Sequence, residues 1–203
     1  LAMFWHSQAN NPQLLEHPLK HRRGFEQLAV PLGFHGDGVP ATGRGKAWVK
    51  LMDNWSWTSL VGTGKTNTKL FFIWGVMRKN CIPSVTLDAF FKVMKWSFTS
   101  LWTGKWPDRD WTGEYYSPES VEGQRANKEL AGGYYGVLWG IMGDLDYFAK
   151  DLGLPHYDNL FPCALCPGGA HGPIRWNDFR ANAAWIARTW SGPSWRDWVG
   201  RSK

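Results

Sequence analysis

Apolar residues in the first part of the chain fall into short runs separated by Gly-rich or polar links, a pattern that predicts strands. Three runs have this character: Glu26–Phe34, Trp48–Val61 and Lys69–Val76. Tryptophans alternate with small polar residues in the second run, and the third is rich in aromatics. Because short links join the three strands, we expect an antiparallel meander. Its last two strands should form a hairpin across Gly62–Thr68.

The spacing changes from strand-like to helical at Pro83–Leu101. Five apolar side chains recur there at steps of three and four residues and form one amphipathic face: Phe90, Phe91, Met94, Phe98 and Leu101. Ser84 or Thr86 can cap the start of this helix, and Gly104 can end it. We therefore expect one long helix after the meander.

The chain continues with a Trp-rich loop, Lys105–Ser117, and a short polar segment, Glu119–Leu130, that can form a helix. The next run, Gly132–Gly143, has little polar character, as expected for a strand buried on both faces. Helical segments are predicted over Leu145–Leu152 and around Asp178–Thr189.

The order strand, strand, strand, helix, strand, helix predicts an α/β fold with one mixed sheet. The first three strands are antiparallel. The fourth returns through a helix and can lie parallel to the first by a right-handed crossover. The carboxyl ends of the first and fourth strands would then lie side by side.

Both of these strands end in Gly-Asp. The stretch Pro31–Pro40 contains Asp37 between two glycines, and Gly136–Asp146 contains Asp144 after an apolar run. Asp-Gly is also a common hairpin dipeptide, so a simple turn is the alternative for Asp37. If the strands are parallel neighbours, the two carboxylates lie close together and repel each other unless a cation separates them. Mg²⁺ or Mn²⁺ with substrate phosphate suits such a pair, and two ions can drive an in-line displacement at a phosphodiester.

The segment GIMGDLDYFAKDLGLPHYDNLFPCALCP resembles the CACTA (En/Spm-type) transposases. Those enzymes place an Asp after an apolar strand, then a short helix, then a Cys-x-x-Cys pair. The resemblance covers roughly residues 28–170. It implies a ribonuclease-H-like core of the DDE/D type, metal-dependent DNA strand cleavage and transfer, and DNA as partner. A homo-oligomer assembled on DNA and a nuclear location are further expectations.

This sequence departs from the family pattern at three places. Asp146 stands where the family has Pro, so the second ligand is Asp144 or Asp146, and Asp144 is favoured because it follows the strand directly. The third acid of such sites comes from a later helix, where Asp178 is the only nearby candidate and its spacing is poor; the alternatives are an acid beyond Lys203 or no third acid. The family's His after the cysteine pair has one counterpart, His171. The chain can therefore be an active core, a fragment or degenerate copy, or a non-catalytic nucleic-acid-binding or interaction module on the same fold.

The three cysteines, Cys81, Cys163 and Cys166, do not suggest a disulfide framework and favour a reducing, intracellular compartment. Cys163-x-x-Cys166 has the spacing of half a tetrahedral zinc site, with His171 or His156 as candidate further ligands. Ordinary thiols in a turn are the alternative. A redox pair is disfavoured, because the flanking prolines predict a loop rather than a helix N-terminus.

Composition favours a packed protein with a moderately basic surface. The chain has 203 residues, 15 of them Trp, and 23 Lys and Arg against 17 Asp and Glu. That balance fits a nucleic-acid partner without demanding one. No apolar run is long enough to span a membrane, and no secretory signal opens the sequence. We divide the chain into a loosely held basic arm (1–24), a ribonuclease-H-like core (25–155), and a Cys-x-x-Cys segment with a Trp-rich C-terminal helix and tail (156–203).

Basic and aromatic residues alternate on the loop after the long helix. Lys105 and Arg109 stand among Trp102, Trp106 and Trp111, and such a set can stack on unpaired bases and hold phosphate. Packing of the tryptophans is the alternative. Lys46, in the Gly-rich link 41–46, is a further candidate for nucleic-acid contact.

A P-loop is a weaker reading of the Gly64-Lys65-Thr66 turn. That motif needs a glycine five positions before Gly64, but Ser59 stands there. It also needs a helix to begin at the lysine, whereas a strand-like run follows. We therefore do not expect a nucleotide site at this turn.

Overall fold

Four strands form one mixed sheet, in the order β3-β2-β1-β4. A computed structural model of the chain describes residues 1–42, 50–156, 158–163, 165–188 and 194. Its helices and strands are, in chain order, α1 (Ala2–Ser7), α2 (Pro12–Glu16), α3 (Phe25–Leu28), β1 (Ala29–Thr42), β2 (Lys50–Ser59), α4 (Thr66–Lys69), β3 (Phe71–Met77), α5 (Thr86–Thr103), α6 (Val121–Arg125), β4 (Tyr135–Met142) and α7 (Leu145–Lys150). Short 3-10 turns occupy Pro18–His21, Arg78–Asn80 and Ile186–Arg188.

The chain divides into two compact units, Leu1–Met142 and Gly143–Lys203. The whole sheet belongs to the first unit, and α7 belongs to the second. The domain boundaries expected after residues 24 and 155 stay predictions. None of the described helices combines the length and the apolar character that a membrane crossing requires.

The predicted mixed α/β sheet is confirmed. β2 is antiparallel to both β1 and β3, and β4 is parallel to β1. The parallel pair runs from Ala29 opposite Tyr135 to His35 opposite Met142. A ribonuclease-H-like topology is one member of this class, and that finer assignment stays a prediction.

The predicted end of the first strand is wrong. β1 begins only at Ala29, after α3, and continues past Asp37 to Thr42. Asp37 is paired with Asn54 of β2, so it lies inside a strand, and the alternative of a turn at Asp37 is wrong as well. Pairing with β2 supplies ladder hydrogen bonds that outweigh the local stop signals of two glycines and a proline. In the ladder with β2 the register shifts between Pro40 and Thr42, as is typical where a proline interrupts a ladder.

The long helix packs on one face of the sheet through its predicted apolar stripe. Phe34 of β1 contacts the rings of Phe90, Phe91 and Phe98, and Met94 is buried. The helix ends at Gly104 as predicted, because this residue adopts φ 71°, a left-handed conformation that glycine takes without a Cβ penalty. Its start lies at Thr86, later than expected, and no side chain caps it.

Residues 1–28 pack against the sheet, so the expectation of a loosely held arm is wrong. Trp5, Leu14 and Leu19 are buried and form a core cluster with residues of β1 and β4, among them Val137 and Trp139. The Trp5 indole donates a hydrogen bond to the carbonyl of Ala29 at 2.9 Å. Three apolar side chains are enough to anchor this segment, although most of its residues are polar. An interpretation based on charge alone overlooks them.

The segment contains a basic cluster, Lys20 to Arg23, and one of its residues packs against the fold. The Arg22 guanidinium lies 3.6 Å from the ring centre of Tyr135 and donates to the carbonyl of Trp102 at 2.5 Å. Such a cation over an aromatic ring stabilises the contact between the N-terminal segment and β4. Arg22 therefore serves the fold rather than a free phosphate-binding surface.

Later helices are shorter than their patterns predicted. The expected helix over Glu119–Leu130 is reduced to α6, and the helix after β4 ends at Lys150. From residue 178 to residue 188 the described chain forms turns and one 3-10 segment in place of the predicted helix. The rest of that prediction, and Lys46, lie outside the described residues.

Candidate metal and nucleic-acid sites

Asp37 presents its carboxylate from within β1. The residue is partly exposed, and among the described residues its side chain makes no hydrogen bond or ion pair. The backbone carbonyl of Asp37 accepts a hydrogen bond from the Asn54 side chain at 3.0 Å. A carboxylate with both oxygens free is suited to bind a cation.

Asp144 has a structural role that the sequence reasoning missed. It is the N-cap of α7, and its Oδ1 accepts a hydrogen bond from the Tyr147 amide at 2.6 Å. The signal was present, since Asp directly before a helical run is a preferred N-cap. The residue is exposed, and the cap occupies one of its two carboxylate oxygens.

Asp146, the alternative second ligand, is occupied by cations of its own chain. Its carboxylate lies 2.5 Å from the ammonium of Lys150, one helical turn later, and 3.6 Å from Nε2 of His156. The hydrogen bond from Lys150 is the main reason why the pKa of Asp146 is lowered. Between the two, Asp144 retains the freer carboxylate.

Asp37 and Asp144 hold equivalent sequence positions relative to the ladder between β1 and β4. His35 is paired with Met142, and each aspartate stands two residues further along the chain. Asp37 belongs to the first unit and Asp144 to the second. Within the described residues, no three His, Cys, Asp or Glu side chains come together as a metal-binding group.

The expected third acid, Asp178, is held in an ion pair. Its two oxygens accept hydrogen bonds from Nε and Nη2 of Arg180 at 2.8 and 2.7 Å. These bonds lower the pKa of Asp178 to about 2. A carboxylate already matched by a guanidinium gains less from a metal ion than a free one does.

Asp53 is a buried carboxylate that the sequence reasoning missed. It is 3% exposed, lies opposite Gly38 in the ladder, and its oxygens accept hydrogen bonds from Nε of Arg78 at 3.0 and 3.1 Å. A Cβ added at Gly38 would come within 2.9 Å of the same guanidinium. The second glycine of the His-Gly-Asp-Gly stretch therefore makes room for this ion pair. The pair joins positions 25 apart, so no local pattern indicates it.

The cysteine pair is brought together, and the described residues supply no third ligand. Cys166 Sγ donates to Cys163 Sγ at 3.1 Å, Cys166 is buried, and both thiols are free. Burial is the main cause of the raised pKa of Cys166, which favours the protonated thiol of an ordinary packed cysteine. His171 is exposed, and His156 contacts Asp158. Two ligands do not complete a zinc site, and zinc at this pair stays a prediction.

The basic and aromatic loop residues line an open cavity of about 530 Å³ between α5 and the loop. We call it the Lys–Trp groove. Its principal side chains are Lys92, Lys95, Trp96, Lys105, Trp106 and Trp111. The predicted nucleic-acid residues Lys105, Trp106 and Arg109 all lie on it, so the structure brings these three together. Lys92 and Lys95 were missed, although their helical spacing with Trp96 and Thr99 places all four on one face of α5.

Arg109 also has a structural role, and its predicted contact with nucleic acid stays a prediction. Its guanidinium pairs with Asp108 at 3.2 Å and donates to the Tyr115 hydroxyl at 2.5 Å. The hydrogen bond with Asp108 is the main cause of its raised pKa. The Arg109 carbonyl also accepts a hydrogen bond from the Trp96 indole at 2.9 Å. Arg109 thus holds the loop together and against α5.

Comparison of the chain with protein-family models, with curated proteins and with solved structures finds no match. The likeness to CACTA transposases therefore rests on the residues quoted above. Function has to be argued from the two aspartates and the Lys–Trp groove.

Proposed function

We propose that this chain is the core of a transposase-like enzyme that cuts and joins DNA strands with Mg²⁺ or Mn²⁺. One observation carries the proposal: β1 and β4 are parallel neighbours, and an aspartate follows the last paired position of this ladder by two residues on each side. The carboxyl ends of parallel neighbours meet at one edge of a sheet, which is where the sites of open α/β sheets are found. A ribonuclease-H-like arrangement would use both aspartates just beyond the parallel ladder, with Asp37 inside β1, which continues to Thr42, and Asp144 after β4.

In this proposal Asp37 and Asp144 share the metal ions. Both oxygens of Asp37 are free of partners among the described residues, and Asp144 has one oxygen outside its cap. Mg²⁺ commonly takes one or two protein carboxylates and fills its shell with water and substrate phosphate, so two aspartates fit it. The bound ion would stabilise the charge that develops on the scissile phosphate. Asp146 is the less favoured ligand because Lys150 already pairs with its carboxylate.

A non-catalytic nucleic-acid-binding module is the second candidate, and two observations favour it. The described residues supply no third carboxylate to the two aspartates. The Lys–Trp groove offers a binding surface that needs no metal. Under this alternative the sheet remains as a scaffold, and the aspartates have no catalytic part.

Cleavage of labelled DNA in Mg²⁺ or Mn²⁺ tests the proposal. Asp37→Asn and Asp144→Asn should each lower the rate by roughly 10³-fold, since several kcal/mol of transition-state stabilisation are lost with a metal ligand. Asn retains the shape of both side chains and can still cap α7, so folding should be preserved. Salt-sensitive DNA binding should persist, because it depends on Lys and Arg.

Asp146→Asn is the matched control, two residues from Asp144 and on the same short helix. It should cut at the wild-type rate. If Asp146→Asn is the inactive variant and Asp144→Asn is active, the second ligand is Asp146. If the wild-type chain binds DNA and never cuts it, the non-catalytic module is correct.

A further inference from the structure

The Lys–Trp groove has a rigid frame. The loop is closed at its base by the bridge between Lys105 and Glu129, and further out by the bridge between Arg109 and Tyr115. The Leu130 amide donates to the carbonyl of Gly104 at 2.9 Å, which joins the end of the loop to the end of α5. The groove is therefore present before any ligand arrives, which lowers the cost of binding.

The Lys–Trp groove carries positive charge that is available to a ligand. Lys92, Lys95 and Lys105 are exposed, and within the described part of the chain none of them forms an ion pair. The two acidic residues that line the groove already have partners within the loop. Asp108 pairs with Arg109, and Asp110 Oδ1 accepts hydrogen bonds from the Thr112 hydroxyl and from the amides of residues 112–114. The hydrogen bond from the Thr112 hydroxyl is the largest cause of the lowered pKa of Asp110.

Aromatic faces stand among these cations. Trp111 is 48% exposed and Trp106 is 37% exposed, and both line the groove. The Arg125 guanidinium lies 5.3 Å from the ring centre of Trp106, on a neighbouring cavity of about 300 Å³ that shares this tryptophan as a wall. Trp111 has no such partner among the described residues. An exposed indole beside free ammonium groups is the combination that binds a base and its phosphate together.

We infer that the Lys–Trp groove binds single-stranded DNA, with a base stacked on Trp111 and the backbone phosphates on Lys92, Lys95 and Lys105. Single strands fit better than duplexes because only an unpaired strand offers base faces to an indole, whereas a duplex keeps them stacked inside. The inference goes beyond metal-dependent cleavage and does not depend on it. A non-catalytic module would use the groove in the same way.

The charge of the groove is tested by Lys92→Gln combined with Lys95→Gln. Binding of fluorescein-labelled dT₁₅ is measured by anisotropy over a series of salt concentrations. Each phosphate contact on a single strand contributes about 0.7 to the slope of log K against log salt, so the slope should fall by about 1.4. Affinity at 0.1 M salt should fall roughly tenfold or more.

The matched control is Lys65→Gln combined with Lys79→Gln, which removes the same charge from exposed lysines outside the groove. Its affinity and salt slope should stay close to those of the wild type. If both double variants lose the same affinity, binding follows net charge, and the groove is not the site.

Stacking is tested by Trp111→Ala and Trp111→Phe. Loss of one stacked base should weaken dT₁₅ binding roughly 5- to 150-fold in the Ala variant, and Phe should restore much of it. Because Trp111 lies half exposed on a turn, both variants should keep the wild-type melting temperature. Unchanged affinity in a folded Trp111→Ala variant would overturn the inference.

Competitors identify the occupant. Unlabelled dT₁₅ should displace the probe, and a 15-base-pair duplex should do so only at far higher concentration. Displacement by the duplex or by rU₁₅ at the dT₁₅ concentration, or by dTMP at micromolar concentration, would each overturn single-stranded DNA as the ligand. Asp37→Asn should bind dT₁₅ like the wild type, which separates this inference from the fate of the proposed cleavage activity.

Discussion

The two Gly-Asp segments are alike in sequence and different in structure. Asp37 remains in an extended strand, and its carboxylate has no hydrogen-bond partner among the described residues, whereas Asp144 follows its strand and caps a helix. The difference lies in the neighbours. Beyond His35, β1 still has β2 to pair with, while β4 is an edge strand that, among the described strands, pairs only with β1. The shared Gly-Asp dipeptide therefore predicts that a carboxylate follows the paired part of each strand. Whether that carboxylate stays in a strand or caps a helix depends on the neighbouring strand.

The ion pair between Asp53 and Arg78, beside the first Gly-Asp segment, should give the largest change in the free energy of unfolding. Arg78→Met leaves the carboxylate of Asp53 buried without its cation, and we expect a loss of about 3 kcal/mol in the free energy of unfolding, measured by urea denaturation. The double variant Asp53→Leu with Arg78→Met should recover much of that loss, because two apolar side chains can replace a buried pair. A single variant as stable as the wild type would show that Asp53 is not held by Arg78.

The second segment should show a smaller effect that depends on the cap. Asp144→Ala removes the acceptor for the Tyr147 amide and should cost about 1 kcal/mol, whereas Asp144→Asn should cost only a few tenths. Hydrogen exchange at the Tyr147 amide is the local measurement, and it should accelerate in the Ala variant alone. Equal exchange rates in both variants would mean that Asp144 does not cap α7.

The smallest effect concerns Asp146. Lys150 lowers the pKa of Asp146, so its carboxyl should titrate below the ordinary range of aspartate. A carboxylate with a lowered folded-state pKa stabilises the fold above its unfolded-state pKa and loses that contribution as the pH falls through the folded value. Lys150→Gln should raise the pKa toward its usual value, as read from the ¹³C shift of the carboxyl carbon. No change in that titration would contradict the pairing.

Regular spacing gave the most reliable predictions. The stripe from Phe90 to Leu101 predicted both α5 and the face that it packs on the sheet, since helical periodicity reports burial directly. The parallel pairing of β1 and β4 followed from two similar apolar runs and from the element between them. Zinc, DNA binding, cleavage, assembly on DNA and location remain predictions.

Features that depend on distant partners could not be predicted. Nothing near Pro40 indicates that β2 carries the strand past it, and nothing near Asp53 indicates Arg78. The groove was predicted only on its loop side, because α5 was interpreted only for its apolar stripe. The Asp144 cap is the exception, since a local rule was sufficient and was not applied.

The burial of the N-terminal segment has a consequence for folding during synthesis. The Gln13 side chain donates to the carbonyl of Trp139 at 3.2 Å across 126 residues, and Trp5 contacts the same tryptophan with ring centres 5.0 Å apart. At about 5 to 20 residues per second, the ribosome takes roughly 6 to 25 seconds to add the strand that these residues need. For that time Trp5 and Gln13 lack their native contacts with β4. This core therefore closes only when β4 arrives.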